Sequence, residues 1–254
     1  MNINGTCISS IMDNNGPVYV YQTKNSRVLS FDGKIYQSCM KTNNINGLSL
    51  GYTQAMMTSL LFTPMPQNVT ILGLGAGSIA KILLNNFSEL IVHAIEYRAA
   101  VVEAAKTYFY LPDSKRLHIY IDDALNYIEM TPHKSDIIFS DLYSSQGMDP
   151  KQVQSCYLKH CKAALTLQGI LVLNICHSSL QIRDHLDELL AVEFGNRVLR
   201  FEVDGGNTIV LAFNNDIPVI DSAALLFTAN AMQQQLSIPM TRYAKLLCQY
   251  NHIG

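Results

Sequence analysis

The chain has 254 residues and a formal net charge of −2, from 18 Lys and Arg against 20 Asp and Glu. That balance excludes a basic domain built to neutralise nucleic-acid phosphates. Apolar residues reach 48% and charged residues only 15%, which supports a large buried core, excludes disorder as the main character and includes no run long enough to span a membrane. Residues 18–21 and 27–31 are β-rich, and Asp32-Gly33 signals a tight hairpin before a third strand over 34–39. The Asn- and Gly-rich stretch 41–51 reads as a loop. Residues 52–62 carry Met56, Leu60 and Leu61 at helical spacing, until Pro64 and Pro66 stop the helix.

From residue 69 apolar strands alternate with helices, the pattern of a parallel α/β sheet. Strands are predicted over 69–72, 90–95, 117–121, 136–140 and 169–175, with helices over 79–85, 99–108, 124–129, 151–166 and 180–192. Residues 197–203 and 208–213 then form two strands joined by Asp204-Gly205-Gly206-Asn207, so the sheet closes with an antiparallel hairpin and has seven strands. Helices over 221–234 and 241–249 follow. The expected organisation is a small N-terminal β domain with its connecting helix over 1–65 and a Rossmann-like domain over 66–254. Six cysteines (Cys7, Cys39, Cys156, Cys161, Cys176, Cys248) without a Cys-x-x-Cys pair fit reduced cytoplasmic thiols. Residues 1–10 show neither a basic leader nor an apolar core, so no secretory signal is expected.

The motifs that carry chemistry fall at the carboxyl ends of consecutive predicted strands, where open α/β sheets bind ligands. Gly73-Leu74-Gly75-Ala76-Gly77-Ser78 follows the first strand and opens a helix, a turn in which backbone can approach a ligand closely. Glu96, 19 residues past Gly77, ends the second strand, at the spacing of a carboxylate that accepts from ribose hydroxyls. Asp122-Asp123-Ala124 ends the third strand; an acid beside a small residue suits an adenine amino group, and equally a helix cap. Asp141 ends the fourth strand, followed by Tyr143 and Ser144. Asn174 and His177, at the end of the fifth, are further candidates for the pocket wall. Cys156, His160 and Cys161 share a helix without the four closed ligands zinc needs, so no metal site is expected. The acids Asp184, Asp187 and Glu188 read as a solvated helix face.

The set Phe31-Asp32-Gly33, Gln37, Tyr52, the glycine loop, Glu96, Asp123 and Asp141 resembles the spermidine synthase family, and most closely its bacterial spermidine-synthase-like members, over residues 17–215. The resemblance implies a methyltransferase-like Rossmann fold behind a small β domain and binding of S-adenosylmethionine or its decarboxylated form as co-substrate. It further implies transfer of an aminopropyl group to an amine or polyamine. It assigns Gln37, Gly73, Gly75, Gly77, Glu96, Asp123 and Ala124 to the nucleoside, Asp141 and Tyr143 to catalysis, and Tyr52, Gln54 and Ser144 to the acceptor. Family members often pair through the N-terminal region, so a homodimer is expected.

Three positions depart from that pattern. Ala76, Ser144 and Gln54 stand where spermidine synthases carry carboxylates, and burying a multiply charged amine without acids is unfavourable. Loss of the acid at Ala76 also makes undecarboxylated S-adenosylmethionine compatible with the loop. Two alternatives therefore stay open: a methyltransferase on the same fold, and a nucleoside-binding protein without turnover. A nicotinamide dehydrogenase fits less well, because Ser78 follows Gly77 where one spacer and a further glycine are needed.

Overall fold

The computed structural model describes residues 3–176 and 180–253. Four antiparallel strands, β1 (Thr6–Asp13), β2 (Gly16–Gln22), β3 (Ser26–Ser30) and β4 (Ser38–Lys41), form an N-terminal sheet in sequential order. Strand β1 lacks apolar alternation and escapes sequence reading; it is an edge strand whose Ile8 and Met12 are exposed. The hairpin expected around Asp32-Gly33 forms, since β3 and β4 pair antiparallel, but its turn is a longer loop over 31–37 and the third predicted strand begins only at Ser38. The reason is local: Asp32 Oδ1 accepts from the Lys34 and Ile35 amides at 2.8 and 2.9 Å, which withdraws those donors from a ladder.

Helix α1 (Gly51–Met56) runs into a 3₁₀ turn over Met57–Leu61 and leads to the second layer. There β5 (Asn68–Leu72), α2 (Ser78–Asn86), β6 (Ile91–Glu96), α3 (Ala99–Tyr108), β7 (Leu117–Ile121), α4 (Ala124–Met130) and β8 (Ser135–Ser140) alternate as expected. The minimal strands β9 (Tyr143–Ser144) and β10 (Gly147–Met148) form a flap that hydropathy does not reveal. After α5 (Ser155–Ala164), β11 (Leu165–Cys176) starts four residues earlier than predicted, and α6 (Leu180–Phe194) follows. Strands β12 (Val198–Val203) and β13 (Asn207–Phe213) are the closing hairpin, and α7 (Ser222–Leu236) and α8 (Met240–Tyr250) end the chain.

The large sheet has the order β12-β13-β11-β8-β5-β6-β7. Pairs among β11, β8, β5, β6 and β7 are parallel, while β13 is antiparallel to both its neighbours. This is the expected seven-stranded, methyltransferase-like Rossmann architecture. Strand order reverses at β5, so the crevice between the ends of β5 and β8 is the topological switch point.

The N-terminal sheet does not stand alone. Val18, Val20, Leu29 and Met40 pack on Ala100, Val101, Ala104 and Phe109 of α3 and its end, so this chain itself covers the apolar face of the N-terminal sheet. Arg98, at the start of α3, donates to both oxygens of Asp13 (3.1 and 2.8 Å) and to the Gly16 carbonyl (2.6 Å). Buried Lys81 on α2 donates to the carbonyls of Ile45 (2.8 Å) and Phe109 (2.7 Å), and its burial pulls the ammonium down to about 8. Among the described residues no helix is long and apolar enough to cross a membrane.

Candidate active site

At the carboxyl edge of the sheet lies a cavity of about 880 Å³, walled by the ends of β5, β6, β7, β8 and β11, by loop 31–37 and by the flap, within the size range of small-molecule sites. Its floor depends on Gly73. That residue has φ +93°, its amide donates to the Ile95 carbonyl at 3.0 Å, and a Cβ there would stand 2.3 Å from the Asp141 carbonyl oxygen. Only glycine lets the ends of β5 and β8 come this close. Gly75 (φ +53°) lies under Ser38, whose Oγ accepts from the Ala76 amide at 3.1 Å, so β4 pins the glycine loop. Gly77 does not reach the cavity. It begins α2 with φ +74° where a Cβ would strike Leu111, so helix packing by itself demands glycine there.

Glu96 is buried at the end of β6. Burial raises its carboxyl, and the amides of Arg98 and Gly75, each donating at 3.1 Å, partly offset that rise. Both oxygens are thereby oriented from below, with the side chain in the cavity wall. Asp123 caps α4, accepting from the Leu125 amide at 2.8 Å, and its other oxygen pairs with Lys151. Burial pushes this carboxyl up, but the ammonium and the amides outweigh it, and it sits below the usual carboxylate range. Ala124 lines the same wall. Lys151, which sequence placed in a long helix, follows Pro150 in a 3₁₀ turn and brings the flap to the end of β7.

Asp141 sits at the switch point. Its amide donates to the Leu72 carbonyl at 2.9 Å, and its Oδ1 accepts from Asn174 Nδ2 at 2.8 Å. Burial raises its carboxyl from 3.8 to about 6, against the stabilising contacts of Asn174 and the Tyr52 hydroxyl. A carboxylate so placed is more basic than a surface one and takes a proton more readily. Tyr143 lines the cavity with its hydroxyl committed to β11: it donates to the Asn174 carbonyl (3.1 Å) and accepts from the Cys176 amide (2.8 Å). Burial raises its phenol further, so it holds rather than transfers a proton at neutral pH.

The structure thus brings together Gln37, Tyr52, Gly73, Gly75, Glu96, Asp123, Ala124, Asp141, Tyr143 and Ser144 in one wall. Gln37 Nε2 reaches the Ser144 carbonyl at 3.4 Å, joining loop 31–37 to the flap. Gln54 is a correction to the sequence reading. It lies outside the lining, donating to the Leu48 carbonyl (2.7 Å) and accepting from the Tyr243 hydroxyl (3.1 Å), because on helix α1 it falls on the face turned to α8. Ala76 is likewise absent from the wall; its methyl packs under the N-terminal sheet with Val18, Val20 and Met40. Loss of a carboxylate there therefore changes packing beneath the loop before it changes the cavity surface. His177 lies outside the described residues. Among the described residues no three His, Cys, Asp or Glu side chains converge as metal ligands.

Sequence reasoning passed over Asn207, which was counted only as turn composition, and Gln152. Buried Gln152 accepts from Ser140 Oγ (2.6 Å) and donates to the Leu142 carbonyl (3.2 Å), tying the flap to the end of β8. An amide in apolar surroundings was the available signal for Asn174, since a buried polar group needs partners.

Comparison with known proteins agrees with this geometry. Residues 49–189 match the spermine/spermidine synthase domain family model. A curated polyamine aminopropyltransferase of Neisseria meningitidis serogroup A is 30% identical over 201 residues, 78% of this chain and 76% of that protein. Among solved structures, a probable spermidine synthase from Corynebacterium glutamicum superposes with a TM-score of 0.74 at 17% identity over 94% of each chain. Human methyltransferase-like protein 13 in complex with SAH superposes with a TM-score of 0.67 at 24% identity, over 75% of this chain and 94% of that one. Those two structures speak for the fold; the domain match, over more than half of the residues, establishes that the chain belongs to the spermine/spermidine synthase family.

Proposed function

We propose that this protein transfers an aminopropyl group from decarboxylated S-adenosylmethionine to an amine acceptor. The observation that carries the proposal is Asp141, a carboxylate of raised basicity at the switch point of a cavity whose other end holds Glu96 and Asp123. In this reading Glu96 accepts from the ribose hydroxyls, Asp123 with Ala124 meets the adenine, and Gln37, Gly73 and Gly75 flank the tail. The neutral amine enters between Tyr52, Ser144 and Asp141. Its nitrogen lone pair attacks the carbon beside the sulfonium, the N–C bond forms, the C–S bond breaks, and methylthioadenosine leaves. The proton released by the new ammonium goes to Asp141. Alignment of the two reactants and removal of that proton are what the protein supplies. The sulfonium is already a good leaving group, so the proposed reaction needs no metal.

A second reading, methyl transfer from undecarboxylated S-adenosylmethionine, is favoured by Ser144, a neutral residue where spermidine synthases carry an acid. Incubation with each donor and a panel of mono-, di- and polyamines, read by product mass, separates the two. An aminopropyl adduct supports the proposal. A methyl adduct overturns it, and tight nucleoside binding with no product from any amine returns the protein to a binding role. The proposal extends to a small-molecule acceptor rather than nucleic acid or membrane, supported by the near-neutral charge. It extends also to a cytoplasmic location, supported by six free cysteines, and to a homodimer, for which the exposed Ile8 and Met12 of edge strand β1 offer a surface. A monomeric mass in solution would remove the last point.

A further inference from the structure

We propose that Asn207 and Asn174 form a two-amide relay that sets which oxygen of Asp141 is left free for the substrate. The inference rests on the reading that Asp141 is the proton acceptor. Asn174 is almost wholly buried (1% exposed) near the end of β11, and its Nδ2 donates to Asp141 Oδ1 at 2.8 Å. An amide can present either its oxygen or its nitrogen to a neighbour, and rotation by half a turn exchanges them. Here the choice is made one strand further out. Asn207, the first residue of β13, pairs across the ladder with Cys176 and so shares a face with Asn174, two positions back. Its Nδ2 donates to Asn174 Oδ1 at 2.8 Å. With that oxygen occupied, the Asn174 amino group must face Asp141.

The Asn174 main chain is held as firmly, because the Tyr143 hydroxyl donates to its carbonyl and accepts from the Cys176 amide. Three strands and the flap therefore meet on one amide. The consequence for Asp141 is directional. Oδ1 is occupied by Asn174, which together with the Tyr52 hydroxyl supports the ionised form against burial, so Oδ2 is the oxygen that Asn174 leaves to face the incoming amine. Asn207 and Asn174 are positioning residues, acting on the proton acceptor rather than on the reacting atoms.

The test titrates Asp141 directly. Carbon-detected NMR of the aspartate carboxyls, with Asp141 assigned by the signal lost in Asp141→Asn, is run on the wild type, Asn174→Leu, Asn207→Leu and Asn207→Ser. Asn174→Leu removes the donor and Asn207→Leu frees Asn174 to turn; both move the Asp141 midpoint up by about one unit or more. Asn207→Ser keeps a donor and stays near the wild type. The acidic limb of kcat/KM for methylthioadenosine release moves upward by the same amount in the two Leu variants, while KM for the sulfonium donor stays within about twofold, a split that general loss of structure does not produce. An Asp141 midpoint unchanged in both Leu variants overturns the relay. Absence of turnover with every amine overturns the aminopropyl reading instead, and the carboxyl titration still decides the relay.

Discussion

Replacement of Asp141 by Asn separates the stability of the site from its chemistry. Burial raises the carboxyl from 3.8 to about 6, so the folded chain holds the ionised form less readily than the unfolded chain does. A difference of about two units at about 1.36 kcal/mol each amounts to about 3 kcal/mol, an upper limit because the cavity admits solvent. The folded value is the higher one. The penalty is therefore absent while Asp141 is protonated in both states, grows between pH 4 and 6, and is complete above pH 6. Asn keeps an oxygen to accept from Asn174 and carries no charge. Asp141→Asn is accordingly more stable than the wild type by up to about 3 kcal/mol at pH 7, a rise in Tm of about 6–12 °C for a chain of this size. The gap shrinks to under about 1 kcal/mol at pH 4, and turnover falls by about 100-fold or more. Scanning calorimetry at pH 4, 5, 6 and 7 reads the first part. A variant less stable than the wild type at pH 7, or a gap that ignores pH, refutes the reasoning.

Gly73→Ala must adopt φ +93° with a Cβ 2.3 Å from the Asp141 carbonyl oxygen, and destabilises by about 3 kcal/mol or more. Gly147→Ala, with φ +112° and nothing within 4 Å, bears backbone strain alone at about 1–2 kcal/mol; equal losses in urea unfolding contradict the close-approach argument. Gln54→Ala removes bonds to Leu48 and Tyr243 and destabilises by about 1–2 kcal/mol, with kcat/KM unchanged within about threefold; a large kinetic loss at native stability returns Gln54 to the acceptor site. Glu96→Gln leaves one of the two amides, of Gly75 or Arg98, facing an amino group. Calorimetric titration then shows methylthioadenosine binding weakened by about tenfold or more, and undiminished affinity removes Glu96 from the ribose.

The βα alternation was legible in sequence because strands buried on both faces, such as 137–139 and 170–173, are uninterrupted apolar runs. The carboxylates were legible for a related reason, since Glu96, Asp123 and Asp141 stand at or just past the carboxyl ends of these strands, where the apolar pattern stops. What escaped depends on contacts across long sequence separations. Strand β1 is an edge with little to bury, so TCISSIMD carries no period-two signal. Gln54 sits at helical spacing from apolar neighbours, but only the placement of α8 shows that it faces Tyr243. Asn207 acquires meaning from Asn174, 33 positions away and on the neighbouring strand. Lys151 reads as an ordinary helix residue until the flap folds back and sets it on Asp123.

A crystal of this protein soaked with methylthioadenosine tests the central claim most directly. The account predicts the sugar hydroxyls against Glu96, the purine amino group against Asp123, and the thioether sulfur directed toward Asp141. A nucleoside bound elsewhere, or one in this cavity with its sugar away from Glu96 and its sulfur away from Asp141, contradicts it.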